Sequence, residues 1–266
     1  MTACECGALS QIPYTLWRFS RIKRPLDLDD AISIWHRLVQ SYSQLKLSRA
    51  TDILPALSGL ARLHSVARRG RYVAGLWQDS LIKDLIWETS HDVATERPRE
   101  YCGPTWSWAY RSGHVNFQRI DAHRIPSRIE AVDVDLAGPD AFGQVISGSI
   151  IIRGPILETS LKSVQVPGAD HTEGKYKLDG VDLKYSFKPD YRLEKTIFDR
   201  LTSSCTVYCL LLGYDAVDRK LQSYPNSFWI VLRPVRGQGD TFERLGFCLT
   251  WDLWEEWAVI RTVTIV

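Results

Sequence analysis

The side chains best suited to acid–base chemistry are Asp133 and Asp135, the neighbours Glu255 and Glu256, and the histidines His114 and His123. Hydrolysis is the reaction class they would serve, if two of them met in a cleft with their protonation states pushed apart. Their sequence setting argues against it. Asp133 and Asp135 alternate with Val132, Val134 and Leu136, and a period of two puts both carboxylates on the wet face of a strand. Glu255 and Glu256 are adjacent in a connecting segment. All four read as solvated charge, and no catalytic set is expected. Cys4-Glu5-Cys6 offers two thiols to a metal, but no second Cys or His pair follows at finger-like spacing, so no metal site is expected. No phosphate-cradling glycine loop stands in the chain's most distinctive strings, and no cofactor is expected. Trp229, Trp251, Trp254 and Trp257 could stack sugar rings if they lined one surface, the remaining route to a ligand.

Bulk properties describe a chain that buries a substantial core. It has 266 residues, 45% hydrophobic and 24% charged, outside the range of disordered chains. A net charge of +2 gives no field that would favour nucleic acid or an anionic surface. The six cysteines are scattered, as in a reducing compartment, and no run approaches the ~18 apolar residues of a membrane span. With no apolar leader in residues 1–25, a cytoplasmic location is expected. The ten tryptophans read first as core.

Residues 1–25 read as an irregular connector, with a small basic cluster at Arg18, Arg21, Lys23 and Arg24. Leu28, Ala31, Ile32, Trp35, Leu38, Val39 and Tyr42 then recur at three- and four-residue steps, which predicts a helix over 28–42 capped by Asp27; His36 falls off that stripe and reads as surface. A second helix is predicted from Thr51 or Asp52, with Pro55 in its first turn. Its buried face runs through Ile53, Leu57, Leu60, Ala61 and His64, its Gly59 implies close approach of another element, and Arg68, Arg69 and Gly70 close it. The four-residue step Val73, Trp77, Leu81, Leu85 predicts a third helix over roughly 72–88.

After Thr89 the period changes. Pro98 and Pro104 punctuate a loop, and the rest reads as short strands. These are a strand about 132–136, a turn at 137–140, a second strand over 144–153 ending at Gly154-Pro155, and a hairpin at Asp179-Gly180. Three later runs cover 206–212, 227–232 and 242–250, and a last covers 257–266. The expected organisation is 1–25 connector, 26–92 helical subdomain, 93–104 loop, and 105–266 β-rich subdomain with a surface insertion at 160–200. The fold class is therefore α+β: about three N-terminal helices packed on an antiparallel β-rich half, a sandwich or a curled sheet. Trp35, Leu57, Trp77, Trp106 and Trp108 are expected to be buried and to join the two halves.

Four strings carry a family resemblance by their order and spacing. They are Cys4-Glu5-Cys6-Gly7 before a helix bearing Trp35; Asp52-x-Leu54-Pro55-Ala56-Leu57-Ser58-Gly59-Leu60-Ala61; Tyr72-Val73-Ala74-Gly75-Leu76-Trp77; and Pro104-Thr105-Trp106-Ser107-Trp108-Ala109. Together they resemble the region just after the HET domain in fungal heterokaryon incompatibility proteins. The similarity is good from about 26 to 110 and weaker at Glu243-Arg244-Leu245-Gly246 and the closing strand. Thr105 stands where that family usually has Ser. The HET domain itself, which resembles Toll/interleukin-receptor folds and is associated with the family's cell-death activity, would precede this chain. The resemblance implies a non-catalytic companion or regulatory region in fungal non-self recognition, with a HET domain in cis or trans as protein partner. Trp35, Asp52, Leu54, Pro55, Ala56, Gly59, Gly75, Leu76, Trp77, Pro104, Trp106, Ser107 and Trp108 are the residues that carry the family's pattern.

Overall fold

The computed structural model describes residues 27–89, 97–111, 113–121, 123–164, 175–180, 187–193, 204–215, 226–250 and 254–266. Cys4, Cys6, the basic cluster, Trp251 and the second arm of the Asp179-Gly180 hairpin lie outside them. The fold is α+β: among the described residues, three N-terminal helices are followed by mostly antiparallel strands. Two compact units emerge. The first takes the described residues up to 89 together with 98–117 and 133–148; the second takes 97, 118–132 and 149–266. No described helix is long and apolar enough to cross a membrane.

In the first unit, helix α1 (Leu28–Tyr42) buries Ala31, Ile32, Ile34, Trp35, Leu38 and Val39, while Leu28 stays exposed at its open end. Asp29 and Asp30 sit in its first turn, where the helix dipole favours negative charge. Helix α2 (Ile53–Ser65) follows a 3-10 turn at Ala50–Asp52, with Pro55 in its first turn as expected. Its buried face is Ile53, Leu54, Leu57, Ala61 and His64. Leu60, expected on that face, is only half-buried, and two further expectations for α2 fail. Gly59 is exposed, with nothing within 4 Å of where a Cβ would stand, so no element approaches it. The helix also ends at Ser65, not at Gly70. Asp79 explains why: its carboxylate takes the Arg68 guanidinium and the amides of Arg69 and Gly70, turning these residues away from the helix axis.

The predicted helix over 72–88 is instead a hairpin and a single helical turn. Strands β1 (Tyr72–Val73) and β2 (Leu76–Trp77) pair antiparallel around Ala74-Gly75. Both loop residues have positive φ, 49° and 93°, as a type I′ turn requires. A 3-10 turn then leads into helix α3 (Leu81–Asp84). The four-residue step deceived because Val73 and Trp77 face the core from opposite arms of the hairpin. Strands β3 (Trp87–Thr89) and β4 (Val115–Phe117) form a second small pair.

The second unit is built around one long strand, of which it holds residues 149–164, together with 128–132 of the strand before it. Strand β5 (Arg128–Leu136) pairs with β6 (Val145–Val164), and its burial alternates with Asp133 and Asp135 on the wet side, as the sequence pattern predicts. The expected end of β6 at Gly154-Pro155 is wrong, and residues 160–164, assigned to a surface insertion, belong to this strand. Pro155 is tolerated because β9 (Ser204–Tyr214) begins pairing only at Ile156, on the edge of β6 opposite β12 (Val259–Ile265), which pairs along Ile150–Ile156. Gly154 stays a glycine because the Ser127 side chain fills the space a Cβ would need, on its way to donate to the Leu211 carbonyl.

Strand β7 (Lys175–Leu178) pairs with the end of β6, and β8 (Lys188–Pro189) pairs with β11 (Thr241–Thr250). Strands β9, β10 (Ser227–Pro234) and β11 form an antiparallel meander. The order β10-β9-β6-β12-β11, with β10 also pairing β11, closes the sheet on itself, so it is curled and not stacked. Among the described residues β11 runs parallel to β12, at Thr241–Phe242 against Thr264–Ile265. Val207, Cys209, Leu210, Leu211, Trp229, Ile230, Val231, Phe247 and Cys248 are among its buried side chains.

Candidate functional site

The family-pattern residues of the first unit meet at the Ala74-Gly75 turn. The Gly75 carbonyl accepts two indole N–H groups, from Trp35 Nε1 and Trp108 Nε1, each at 3.0 Å. Ser107 Oγ donates to the Ala74 carbonyl at 2.5 Å and accepts from the Ala109 amide at 3.0 Å, capping the 3-10 turn Trp108–Tyr110. A side chain at 75 would meet the Trp108 ring at 2.8 Å on top of the left-handed backbone there, so glycine is required twice over. Trp87 Nε1 donates to the Trp106 carbonyl at 3.1 Å, and Pro104 and the Trp106 ring crowd Gly148.

Trp35, Leu54, Leu76, Trp77, Trp106, Ser107 and Trp108 are all at most 1% exposed, and Pro104 is buried. Leu57, expected in the core, is fully buried as well. Asp52, Ala56 and Gly59 are exposed and Pro55 is half-buried. The structure thus divides the pattern into a dry cluster around one turn and an outer face of α2.

Beside the turn, Trp35, His64, Tyr72, Trp77 and Phe142 form a cluster of rings 5.2 to 6.5 Å apart. His64 is the core histidine that its helical position predicts. Burial and the nearby Arg68 charge lower its pKa to about 3, against some help from Asp79. The unfolded chain therefore takes up the proton first. Stability contributed by neutral His64 is full above about pH 6.5 and falls as pH drops towards about 3, at roughly 1.4 kcal/mol per pH unit. Urea unfolding between about pH 7 and about pH 4.5 is expected to show that slope, and His64→Phe should be shallower by that amount. Equal slopes would place His64 in water.

A buried polar chain passes along the same unit. Arg68 Nη2 bonds Asp79 Oδ1 at 2.5 Å and also Ser80 Oγ; Ser80 Oγ donates to Asp84 Oδ2 at 2.9 Å; His36 Nε2 lies 2.8 Å from Asp84 Oδ1. Asp84 also accepts the Trp77 amide at 2.9 Å and is wholly buried. His36, expected on the surface, is half-buried and stacked on Phe117 at 3.9 Å. Serine, carboxylate and histidine are all here, in the wrong order for nucleophilic catalysis: the carboxylate stands between the other two, so no base reaches the hydroxyl. Burial alone would raise the Asp79 pKa, but Arg68 and the two backbone amides outweigh it and hold it below the usual range. The chain ties the hairpin to α1 and α3.

The acid–base candidates are not assembled. Within the first unit, Asp133 and Asp135 are exposed, Asp135 accepts from Ser147, and neither bonds His114. His114 lies 3.2 Å from Gln44 Nε2, its pKa lowered by burial and by Arg111. Within the second unit, His123 is exposed with its amide on Asp121, and Glu256 is exposed without a bond to it; the Glu255 side chain lies outside the described residues. Among the described residues, no group of three or more His, Cys, Asp or Glu is placed to hold a metal. Trp229 is core, Trp257 is exposed, and the Trp254 side chain is not among those described.

Among its described residues the second unit holds a buried ion pair and a glutamate shared by two arginines, which spacing alone did not flag. Arg244 and Asp190, both fully buried, meet through Nε–Oδ2 at 2.9 Å. Glu243 accepts from Arg97 at 2.9 Å and from Arg233 at 2.7 Å. The Glu243-Arg244-Leu245-Gly246 string therefore works as packing, like the strings of the first unit. No family model, no curated protein and no solved structure matches the chain.

Proposed function

We propose that this chain is a non-catalytic companion or regulatory region of a heterokaryon-incompatibility-type protein, acting in fungal non-self recognition and programmed cell death. On this reading it works in the cytoplasm by packing against a HET domain, in cis or in trans. The observation that carries the reading is the fate of the family-pattern residues. Trp35, Ser107 and Trp108, from strings up to about 70 residues apart, converge on the Ala74-Gly75 turn, and their side-chain polar atoms are spent in holding it. Residues spent on one another make a scaffold, whose contribution is the surface it presents. The uncoupled acid–base candidates support the same reading over hydrolysis.

The test is association with a separately expressed HET domain, by size-exclusion chromatography and pull-down. Co-elution is expected. No association at high micromolar concentration overturns the proposal.

A further inference from the structure

Strand β12 has two unlike halves. At its C-terminal end the Thr264 and Val266 amides donate to the Asp240 and Phe242 carbonyls, so the even-numbered residues turn their backbone groups towards β11. By the period of two, Ile260 and Thr262 do the same. But β11 meets β12 only at Thr264 and Ile265; farther along it takes β8 instead, with β10 beside it from Phe242 to Thr250. Val259 to Val263 keep β6 as their strand partner, and the opposite edge has no backbone partner among the described residues. The seam of the curled sheet is closed at one end and open at the other.

The side chains along this open edge are equally exposed. Trp257 is 67% exposed, Val259 60% and Ile260 55%. Consecutive strand residues point to opposite faces, so apolar surface stands on both sides of the edge. Each face also carries an arginine. Arg261 lies on the Val259 face, and Arg153 of β6, opposite Thr262, lies on the Ile260 face. Arg153 reaches Thr262 Oγ1 at 3.5 Å and has no carboxylate partner among the described residues; Arg261 bonds Asp240.

We propose that the Ile260–Thr262 edge receives an extended segment of a partner protein as an added strand, one that carries two adjacent apolar residues next to two acidic ones, in the order its direction dictates. Backbone pairing would supply affinity, and the Val259/Ile260 and Arg261/Arg153 pairs would set the order. A second copy of this chain fits poorly. The exposed side chains offer on the order of 300 Å² of apolar surface, against roughly 800 Å² a side in a stable dimer. Pairing β12 with itself would also bring arginines together. The proposal rests on the protein-binding reading above and names its surface.

The probes are two fluorescein-labelled octapeptides, Ser-Thr-Val-Ile-Glu-Glu-Thr-Ser and Ser-Thr-Glu-Glu-Ile-Val-Thr-Ser, one for each strand direction. Lysines replace the glutamates in the controls. Fluorescence anisotropy with the full chain should show one acidic peptide binding about tenfold or more tighter than its lysine control. Ile260→Pro removes an edge-facing N–H without touching a β6 bond and should weaken binding by about tenfold or more. Trp257→Ser and Ile260→Lys, which leave the backbone intact, should weaken it too, with thermal melts checking that each variant folds.

Hydrogen exchange gives the sharpest readout: the Ile260 and Thr262 amides should gain protection on binding, while Arg261 and Val263 are already protected by β6. Absence of binding, equal binding of acidic and lysine peptides, or protection elsewhere overturns the proposal. A peptide-sensitive dimer in sedimentation would assign the edge to a second copy and overturn it as well. The probes contain no HET sequence, so their failure overturns the edge alone. Lack of HET association overturns the companion reading alone.

Discussion

Trp108→Ala is expected to lower the unfolding free energy by about 3–5 kcal/mol, the cost of emptying a buried indole site. Trp106→Ala should match it, since both rings are at most 1% exposed. The phenylalanine variants should separate them. Trp106 Nε1 has no hydrogen-bond partner among the described residues, so Trp106→Phe loses volume but no bond. Trp108→Phe loses volume and also removes one of the two donors on the Gly75 carbonyl, adding about 1 kcal/mol. Urea unfolding of the four variants checks this. A melt unchanged by either alanine substitution would mean that the ring is exposed and the packing account wrong.

Arg244→Met should be nearly as damaging to the second unit. It leaves the Asp190 carboxylate buried without its guanidinium, and breaking one side of such a pair costs about 3–5 kcal/mol. Arg244→Met combined with Asp190→Leu should recover most of that loss, because two apolar side chains need no mutual charge. Denaturant unfolding of the single and double variants gives the coupling directly. If the single variant unfolds like the parent, the pair is hydrated and the buried assignment fails.

The legible parts of this chain are those where one period dominates. The stripe through Ala31, Trp35, Leu38 and Val39 appears as α1 with its buried face nearly intact, and the Val132/Asp133 alternation appears as β5. Residues 72–88 were misread because a two-residue turn leaves apolar positions at a spacing that also suits a helix. Ala74, with a side chain at positive φ, gave no warning of a turn, and only Gly75 could have. The length of β6 was hidden by Gly154-Pro155, normally a stop, because β9 begins pairing only beyond it. The buried chain from Arg68 to His36 was invisible for another reason. Its members lie on α1, α3 and the segments between, and no periodicity reports a contact across 48 residues. The convergence of the tryptophan strings was legible as co-occurrence, though not as three bonds on one turn.

The first unit is discontinuous in sequence, and this constrains synthesis. Phe142 and Val145 sit in the same unit as Tyr72 and Trp77, with Phe142 5.3 Å from the Tyr72 ring. A ribosome that has delivered only the helices and the Trp106–Trp108 segment has not yet supplied the residues that finish that unit. The nascent chain must wait until about residue 148 has cleared the exit tunnel. For the same reason, a fragment ending near Tyr110 would leave aromatic surface bare, and the natural place to divide this polypeptide is not where the helices give way to strands.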